Sequence, residues 1–307
     1  MIIDLHCDTI SVLSDKGGGL NENRLQFDLR RAREAGVKGQ ILAMYSRFTR
    51  QQEALEDIMR QAGCFMRQAE QNAGRAYVLQ KWSDWQPDGD RIALLLHLEG
   101  ADCIPRSMEI LEQLYQMGLR SLGLTWNYDN IFAAGCKGAG TARGLSRAGR
   151  ELVKRIEHLP MLLDLSHLGE TAFYEVLDLF PRPVMVSHSN TAALCPHPRN
   201  LKDKQLEILR ENGGVIGFNQ VKFFIDPSRP TLSRLVDHLV YAAEQIGAEH
   251  LALGSDFDGA ADNDLALSGV EEYPALLAEM KRRGFTAREI ALITGGNALR
   301  LLERNLA

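Results

Sequence analysis

The stretch Ile2-Ile3-Asp4-Leu5-His6-Cys7-Asp8 sets the pattern from which the fold can be predicted. Its apolar residues are typical of a short buried strand, and it ends in two side chains that metal ions bind, His6 and Asp8. Side chains two positions apart on a strand point to the same side, so His6 and Asp8 could reach one ion. The same alternation predicts that Asp4 points inward, one layer below Asp8.

Seven further apolar runs follow, and together they predict eight strands that alternate with helices. The predicted strands are 2–6, 39–45, 91–99, 119–126, 161–167, 183–188, 214–219 and 250–256. Helical spacing occurs at 51–72, 107–117, 145–158, 170–179, 202–212, 231–246 and 271–283, and two short helices are expected within 286–307. Eight strand–helix units favour a (β/α)₈ TIM-type barrel with a C-terminal helical extension, although an open doubly wound sheet also alternates.

Five of the predicted strands end in histidine or carboxylate side chains. The set is His6, Asp8, Glu99, His167, His188 and Asp256, and His97 is expected one layer below Glu99. In a parallel barrel these strand ends converge on one mouth, where active sites lie. The length of 307 residues allows one domain or two. A split near residue 150 would separate Glu99 from His167, so we expect a single domain over residues 1–307.

Imidazole and carboxylate groups in this number predict a metal site suited to Zn²⁺, Mn²⁺ or Fe²⁺. Six such groups exceed the needs of one ion, whereas two ions that share a carboxylate would use them for metal-assisted hydrolysis. A carboxylate left free could move a proton. Each residue alone could instead be a helix cap or an ion-pair partner, but burying so many ionisable groups without compensation is costly.

Residues outside this set have less specific patterns. Arg199, after the sixth strand, could form a surface ion pair or bind a substrate carboxylate with its two-pronged guanidinium. Cys7 is expected to point away from the site into the core. The glycine-rich segment 135–140 lacks the ending of a phosphate-binding loop and is expected to be a flexible loop. Three histidines are expected on the surface: His158, His238 and His250.

Composition excludes several classes of protein. The chain is 45% hydrophobic and 24% charged, with a net charge of −5, which argues against disorder and against an extended nucleic-acid surface. Five scattered cysteines without a close pair predict free thiols. The first residues do not resemble a signal peptide, and no apolar run approaches the ~20 residues that span a bilayer. We therefore expect a cytoplasmic protein with neither nucleic acid nor membrane as partner.

Taken together, the motifs resemble those of the membrane (renal) dipeptidase family of zinc peptidases, which are amidohydrolase-like barrels. The matching motifs are His6-Cys7-Asp8, Glu99-Gly100, Ser166-His167, Ser187-His188-Ser189, Arg199-Asn200, Gly254-Ser255-Asp256-Phe257-Asp258-Gly259 and Gly295-Gly296-Asn297-Ala298-Leu299-Arg300. They cover nearly the whole chain, in order and at the expected strand ends. The missing leader and anchor make the chain similar to bacterial members, and it could assemble as a homodimer.

The resemblance implies a role for each residue. His6 and Asp8 would hold one zinc ion, His167 and His188 a second, and Glu99 would bridge them. A metal-bridging hydroxide would cleave small dipeptides, including those with a C-terminal D-residue. Asp256 would be the acid and base that moves protons, and Arg199 would bind the C-terminal carboxylate.

The sequence departs from the family at one position. Vertebrate members have a substrate-contacting histidine in a Leu-Thr-His context, whereas this chain has Leu124-Thr125-Trp126-Asn127. Indole offers only one neutral N–H donor, so Trp126 would alter the substrate pocket. Stabilisation of the oxyanion in the tetrahedral intermediate would then rely more on zinc and Asn127. Trp126 therefore keeps one alternative open, a metal-dependent amidohydrolase acting on another amide or a lactone. A further alternative, of a different class, is a catalytically silent barrel used as a binding or scaffold protein.

Overall fold

Eight parallel strands close into a barrel in the computed structural model, which describes residues 1–138, 143–261 and 264–307. The eight strands of this ring and a ninth, short strand outside it (β3) are, in chain order, β1 (Ile2–Cys7), β2 (Val37–Tyr45), β3 (Ala76–Val78), β4 (Ile92–Glu99), β5 (Leu119–Gly123), β6 (Leu162–Asp164), β7 (Met185–Ser189), β8 (Val215–Phe218) and β9 (Leu251–Leu253). β1 pairs with both β2 and β9, and β2 pairs directly with β4, which closes the ring. The (β/α)₈ prediction is confirmed.

The short strand β3 was not among the eight predicted strands. It pairs with the first part of β4, at Ile92–Leu94, whereas β5 pairs with β4 from Leu96 onward. It lies outside the ring of eight strands, so it adds to the predicted barrel without changing it.

Helices cover the outside of the ring and continue past it at the C-terminus. They are α1 (Thr9–Lys16), α2 (Leu29–Glu34), α3 (Gln51–Gln71), α4 (Glu109–Gln116), α5 (Arg147–Glu157), α6 (Glu170–Leu179), α7 (Asp203–Asn212), α8 (Lys222–Ile225), α9 (Leu232–Ile246), α10 (Tyr273–Arg282), α11 (Ala287–Ala291) and α12 (Asn297–Leu306). The predicted C-terminal extension is α11 and α12, joined by a π-helical segment at Leu292–Gly296. Within the described part of the chain, none of the helices combines the length and the hydropathy that a bilayer span requires.

Apolar side chains form two cores. The larger core lies between the strands and the helices. The smaller one fills the barrel, where inward residues such as Ile3, Met185 and Val215 pack with Leu301 and Leu302 of α12. Since these strand residues lie near the amino ends of their strands, α12 closes the floor of the barrel and leaves its carboxyl end open.

The predicted inward position of Asp4 is wrong. Ile3 and Leu5 fill the barrel instead, and Asp4 accepts a 2.8 Å hydrogen bond from the hydroxyl of Tyr273 in α10, behind the barrel wall. The pairing of β1 with β2 is irregular between Asp4 and Cys7. Because an irregularity shifts the alternation of side chains, strict period-two counting fails along β1.

The remaining expectations about single residues have different outcomes. Cys7 is buried in the outer core, and all five cysteines are free thiols. The glycine-rich segment lies partly outside the described residues, since 139–142 are not described. His158 is exposed and His250 is half-buried.

We propose that the chain folds as one domain, because α12 completes the inner core that the first strands begin. Leu301→Ala should lower the free energy of unfolding by about 2–5 kcal/mol, since it opens a cavity in the barrel floor. Glu303→Ala, on the exposed face of α12, should change it by less than about 0.5 kcal/mol. Urea unfolding followed by circular dichroism and by tryptophan fluorescence measures both. Separate transitions in the two signals would contradict one cooperative domain.

Candidate active site

The predicted strand-end residues lie together at the open mouth of the barrel. His6 Nε2 is 3.2 Å from Asp8 Oδ2, 3.8 Å from Glu99 Oε1 and 4.0 Å from Asp256 Oδ1. All four side chains are buried. The three ligand atoms of His6, Asp8 and Glu99 lie within 4.8 Å of one another, which is the spacing of a metal-binding set.

A second set shares Glu99 with the first. Glu99 Oε1 lies 2.8 Å from His167 Nε2 and 3.4 Å from His188 Nε2. The two Nε2 atoms are only 2.9 Å apart. Glu99 therefore stands between two groups of metal-ligand type, His6 with Asp8 on one side and His167 with His188 on the other.

The Nδ1 atoms of His167 and His188 face away from this meeting point, toward other polar side chains. Nδ1 of His167 lies 3.0 Å from the side-chain oxygen of Asn127, and Nδ1 of His188 lies 2.8 Å from the Ser187 hydroxyl. Burial lowers the pKa of both rings well below the usual value, and nearby positive charge adds to it. If both neutral rings carry their proton on Nδ1, the two Nε2 lone pairs face each other at 2.9 Å, and a cation bound between them would relieve that repulsion. The residues thus fit a metal ion.

Negative charge at the mouth exceeds the positive charge available there. Burial raises the pKa of Glu99 to about 8, and Asp8 and Asp256 add to this while His6 opposes it. Burial alone would lower the pKa of His6, but Glu99 and Asp8 raise it to about 10. Three neighbouring buried carboxylates are stabilised by divalent cations, so the charge balance also fits metal binding.

Backbone conformation places two of these residues. His167 and Asp256 have φ of 66° and 61°, in the left-handed region that non-glycine residues rarely adopt. Such strain is concentrated at functional sites. Gly259 leaves room for the carboxylates, because a Cβ there would lie 2.3 Å from Asp256 Oδ1 and 2.4 Å from Asp8 Oδ2.

Asp256 is held by a residue that the sequence did not single out. Asn219, just after β8, donates a 2.9 Å hydrogen bond from Nδ2 to Asp256 Oδ2. Burial raises the pKa of Asp256, whereas His6 opposes the shift. A carboxyl group with a raised pKa suits proton transfer near neutral pH. Asp258 has a different role, since its side-chain oxygens accept hydrogen bonds from the Thr9 hydroxyl and from the backbone N–H of Gln26 and so tie a loop.

Arg199 is buried beside the site, with 3% of its surface exposed. Its Nη2 donates a 3.0 Å hydrogen bond to the His188 carbonyl, and its buried Nε has no partner. Among the described residues no carboxylate lies within 4.0 Å of its guanidinium, so the surface ion pair considered from the sequence is not formed. A buried guanidinium with a free donor on a cavity wall can bind an incoming anion.

A cavity of about 300 Å³ opens over these groups. Trp126 is half-buried in its wall and packs against Tyr45, with ring centroids 4.9 Å apart, and against His167 at 6.0 Å. Asn127 also lines the cavity, but its side-chain oxygen lies 3.0 Å from His167 Nδ1. Val221 and Phe224 contribute apolar surface.

The prediction that His238 lies on the surface is wrong. It is fully buried, its Nδ1 accepts from the backbone N–H of Thr191 at 3.2 Å, and its Nε2 donates to the Ile225 carbonyl at 2.8 Å. Thr191 begins the segment that carries Arg199, and Ile225 ends α8. His238 therefore joins two parts of the cavity wall, through contacts that its position on a helix does not reveal.

The neutral form of His238 should make stability depend on pH. Burial lowers its pKa from 6.5 to about 4. Its contribution is present above pH 6.5 and is lost as the pH falls toward 4, because the unfolded chain binds the proton first. That loss is about 3 kcal/mol, and His238→Gln, which does not titrate, should remove it. Urea unfolding of both proteins at pH 7 and pH 4.5 measures the difference; an equal loss in wild type and variant would contradict it.

Comparisons with known proteins agree on one family. The sequence model of the membrane dipeptidase family (peptidase family M19) matches residues 1–306. The chain is 36% identical over 214 residues to the dipeptidase verJ of Clonostachys rogersoniana, covering 69% of this chain and 55% of that protein. It is 36% identical to a protein of the pqqA 5′ region of Klebsiella pneumoniae, covering 69% of this chain and 82% of that protein. The chain spans about half the length of most such relatives.

Solved structures give the same result over the whole chain. A metallopeptidase from Rhodobacter sphaeroides, bound to a phosphinate mimic of L-Ala-D-Ala, has a TM-score of 0.91 and 27% identity, with 99% of each chain covered. The dipeptidase AC, a family M19 metallopeptidase, has a TM-score of 0.91 and 28% identity, covering 99% of this chain and 98% of that chain.

Proposed function

Since this chain belongs to the membrane dipeptidase family, peptidase family M19, we propose that it is a two-zinc dipeptidase that hydrolyses the amide bond of small dipeptides. The observation that carries the proposal is the position of Glu99 between two pairs of metal-ligand side chains, His6 with Asp8 and His167 with His188. Hydrolysis of an unreactive amide at neutral pH needs an activated water and a polarised carbonyl. Zinc ions bound in the two sets would supply both.

The chain's own residues would position the substrate. Arg199 has a free Nε donor and would bind the C-terminal carboxylate of a dipeptide in a bidentate manner. A carboxylate held one residue beyond the scissile bond sets the length of the substrate, because a longer peptide has no carboxylate at that point. Tolerance of a C-terminal D-residue is supported by the neighbour that binds a mimic of L-Ala-D-Ala.

Asp256 would move the proton. Its Oδ1 faces His6 at 4.0 Å, and Asn219 holds its other oxygen, so the carboxyl group is fixed at the edge of the candidate metal centre. As a carboxylate it would take a proton from the attacking water, and as an acid it would give a proton to the leaving amine. Trp126 and Asn127 would contact the substrate beside the scissile bond, where the indole presents an apolar face and a single N–H donor.

Asp256→Asn should leave both zinc ions bound while kcat falls by about 10²- to 10⁴-fold, since the amide cannot accept a proton. Metal analysis and steady-state kinetics on one sample measure the two effects. Asp258→Asn, which changes a carboxyl of the same loop, should keep most of the turnover. Full activity in Asp256→Asn would refute the proton-transfer role.

Arg199→Ala should raise KM for dipeptides by about 10- to 100-fold, because a charged hydrogen bond to the substrate carboxylate is lost. Arg199→Lys keeps the charge without the two-pronged geometry and should lie between wild type and alanine. Initial-rate kinetics on a dipeptide and on its C-terminal amide provide the measurement. The C-terminal amide should be a poor substrate for wild type, and its kinetics should change little when Arg199 is substituted. Unaltered kinetics on the dipeptide in Arg199→Ala would exclude this role.

A panel of dipeptides of defined chirality, assayed together with elemental analysis of the protein, tests the function as a whole. Turnover by protein with two zinc ions per chain supports the proposal. Zinc-loaded protein that cleaves no dipeptide would favour a metal-dependent amidohydrolase on another amide or a lactone, the alternative that Trp126 suggests. Less than about one metal ion per chain would instead favour a silent barrel.

A further inference from the structure

Asp164, at the end of β6, lies beneath the candidate metal centre and outside the proposed set of ligands. It is 1% exposed. Its Oδ1 accepts hydrogen bonds from the backbone N–H of Ser166 at 3.0 Å and of Ser187 at 2.9 Å, and its Oδ2 accepts the Ser187 hydroxyl at 2.5 Å. A buried carboxylate that collects three donors is fixed in place and can direct the groups around it.

The Ser187 hydroxyl links this carboxylate to His188. Its oxygen lies 2.8 Å from Nδ1 of the imidazole. A hydroxyl has one proton, and since Asp164 as a carboxylate can only accept, Ser187 donates that proton to Asp164. At His188 the hydroxyl oxygen must then accept, so the ring carries its proton on Nδ1. Nε2, which faces Glu99 and His167, keeps its lone pair.

We propose that Asp164 is a positioning residue that acts through Ser187 to fix the ring proton of His188 on Nδ1 and so keeps Nε2 available to a metal ion. This inference rests on the proposed metal-dependent function. A metal-bound histidine usually donates its second N–H to an acceptor that fixes its tautomer, and here a serine carries that effect from a buried carboxylate.

Asp164→Asn reverses the chain of hydrogen bonds without changing its shape. The amide oxygen takes the place of Oδ1, where it still accepts the two backbone N–H groups, and the amide nitrogen then faces Ser187. Because that nitrogen donates, the hydroxyl proton of Ser187 turns away from residue 164. We expect it to face His188 Nδ1 at 2.8 Å, which is nearer than the other acceptor, the Ser166 hydroxyl at 3.1 Å. The ring proton moves to Nε2, where it blocks metal binding. Ser187→Ala removes the link and leaves Nδ1 without its partner.

Asp4 provides a matched control. It is also buried, and it accepts the backbone N–H of Ser255 at 2.9 Å and the Ser255 hydroxyl at 2.5 Å. The Ser255 hydroxyl, however, lies 3.0 Å from the His6 carbonyl, so this pair does not act on an imidazole. Asp4→Asn therefore buries the same amide beside the same kind of serine and should leave the His188 proton on Nδ1.

The first measurement is zinc affinity of the full-length protein, by competition with a chromophoric chelator. In Asp164→Asn one of the two zinc ions should bind about 10- to 100-fold more weakly than in wild type, and Ser187→Ala should move in the same direction. Asp4→Asn should lose less zinc affinity than Asp164→Asn. Equal losses in Asp164→Asn and Asp4→Asn would overturn the proposal, since they would show a general cost of burying an amide.

The second measurement locates the proton of His188 by long-range ¹H–¹⁵N NMR on protein labelled with ¹⁵N-histidine. Wild type should show Nδ1–H, and Asp164→Asn should show Nε2–H. Nδ1–H in both would overturn the proposal. If Asp164→Asn does not fold, the zinc affinity of Ser187→Ala decides the matter: a wild-type value overturns the proposal, and a weaker one supports it. Wild type that binds no zinc would overturn the proposed function. Its His188 tautomer would still test whether Asp164 acts on the imidazole through Ser187.

Discussion

The structure depends on the burial of six ionisable side chains within a few ångströms at one end of the barrel. Burial of an unpaired charge costs free energy. Three carboxylates and three imidazoles buried together therefore need hydrogen bonds and opposite charges around them to offset that cost. Burial raises the pKa of Glu99 to about 8 and so favours its neutral form. The neighbouring carboxylates raise the pKa of His6 to about 10, against the effect of burial, and so favour its charged form. Divalent cations between the two sets would satisfy both at once.

Serine residues next to the candidate site residues tie this cluster to two buried aspartates. Ser187 and Ser255 each precede a residue of the site and donate both N–H and hydroxyl to a buried aspartate, Asp164 or Asp4. One aspartate lies inside the barrel and the other behind its wall, so the mouth is supported from two sides. The left-handed backbone of His167 and Asp256 is tolerated because such networks fix the flanking residues.

The sequence predicted the barrel and the members of the cluster because both rest on local patterns. Strands and helices of ordinary length show their periods, and residues such as His6 and Glu99 are recognisable by chemical type at strand ends. What failed depended on contacts far apart in the chain. His238 contacts Thr191, 47 positions away, and Asn219 contacts Asp256 across 37. The position of Asp4 was missed for another reason, since an irregular pairing of β1 changes which side chains face inward.

One polar network joins the residue proposed to bind the substrate to the residue proposed to move the proton. Asn190 donates from Nδ2 to the Asn219 carbonyl at 2.9 Å, and the side chain of Asn219 in turn holds Asp256. The neighbouring Ser189 hydroxyl donates to the carbonyl of Arg199 at 2.6 Å. The residue proposed to bind the carboxylate and the residue proposed to move the proton are therefore fixed against the same two strand ends, β7 and β8. If Arg199 binds the substrate carboxylate as proposed, a shift of its segment would also move the scissile amide relative to Asp256. Substitutions in this network would then change substrate binding and turnover together.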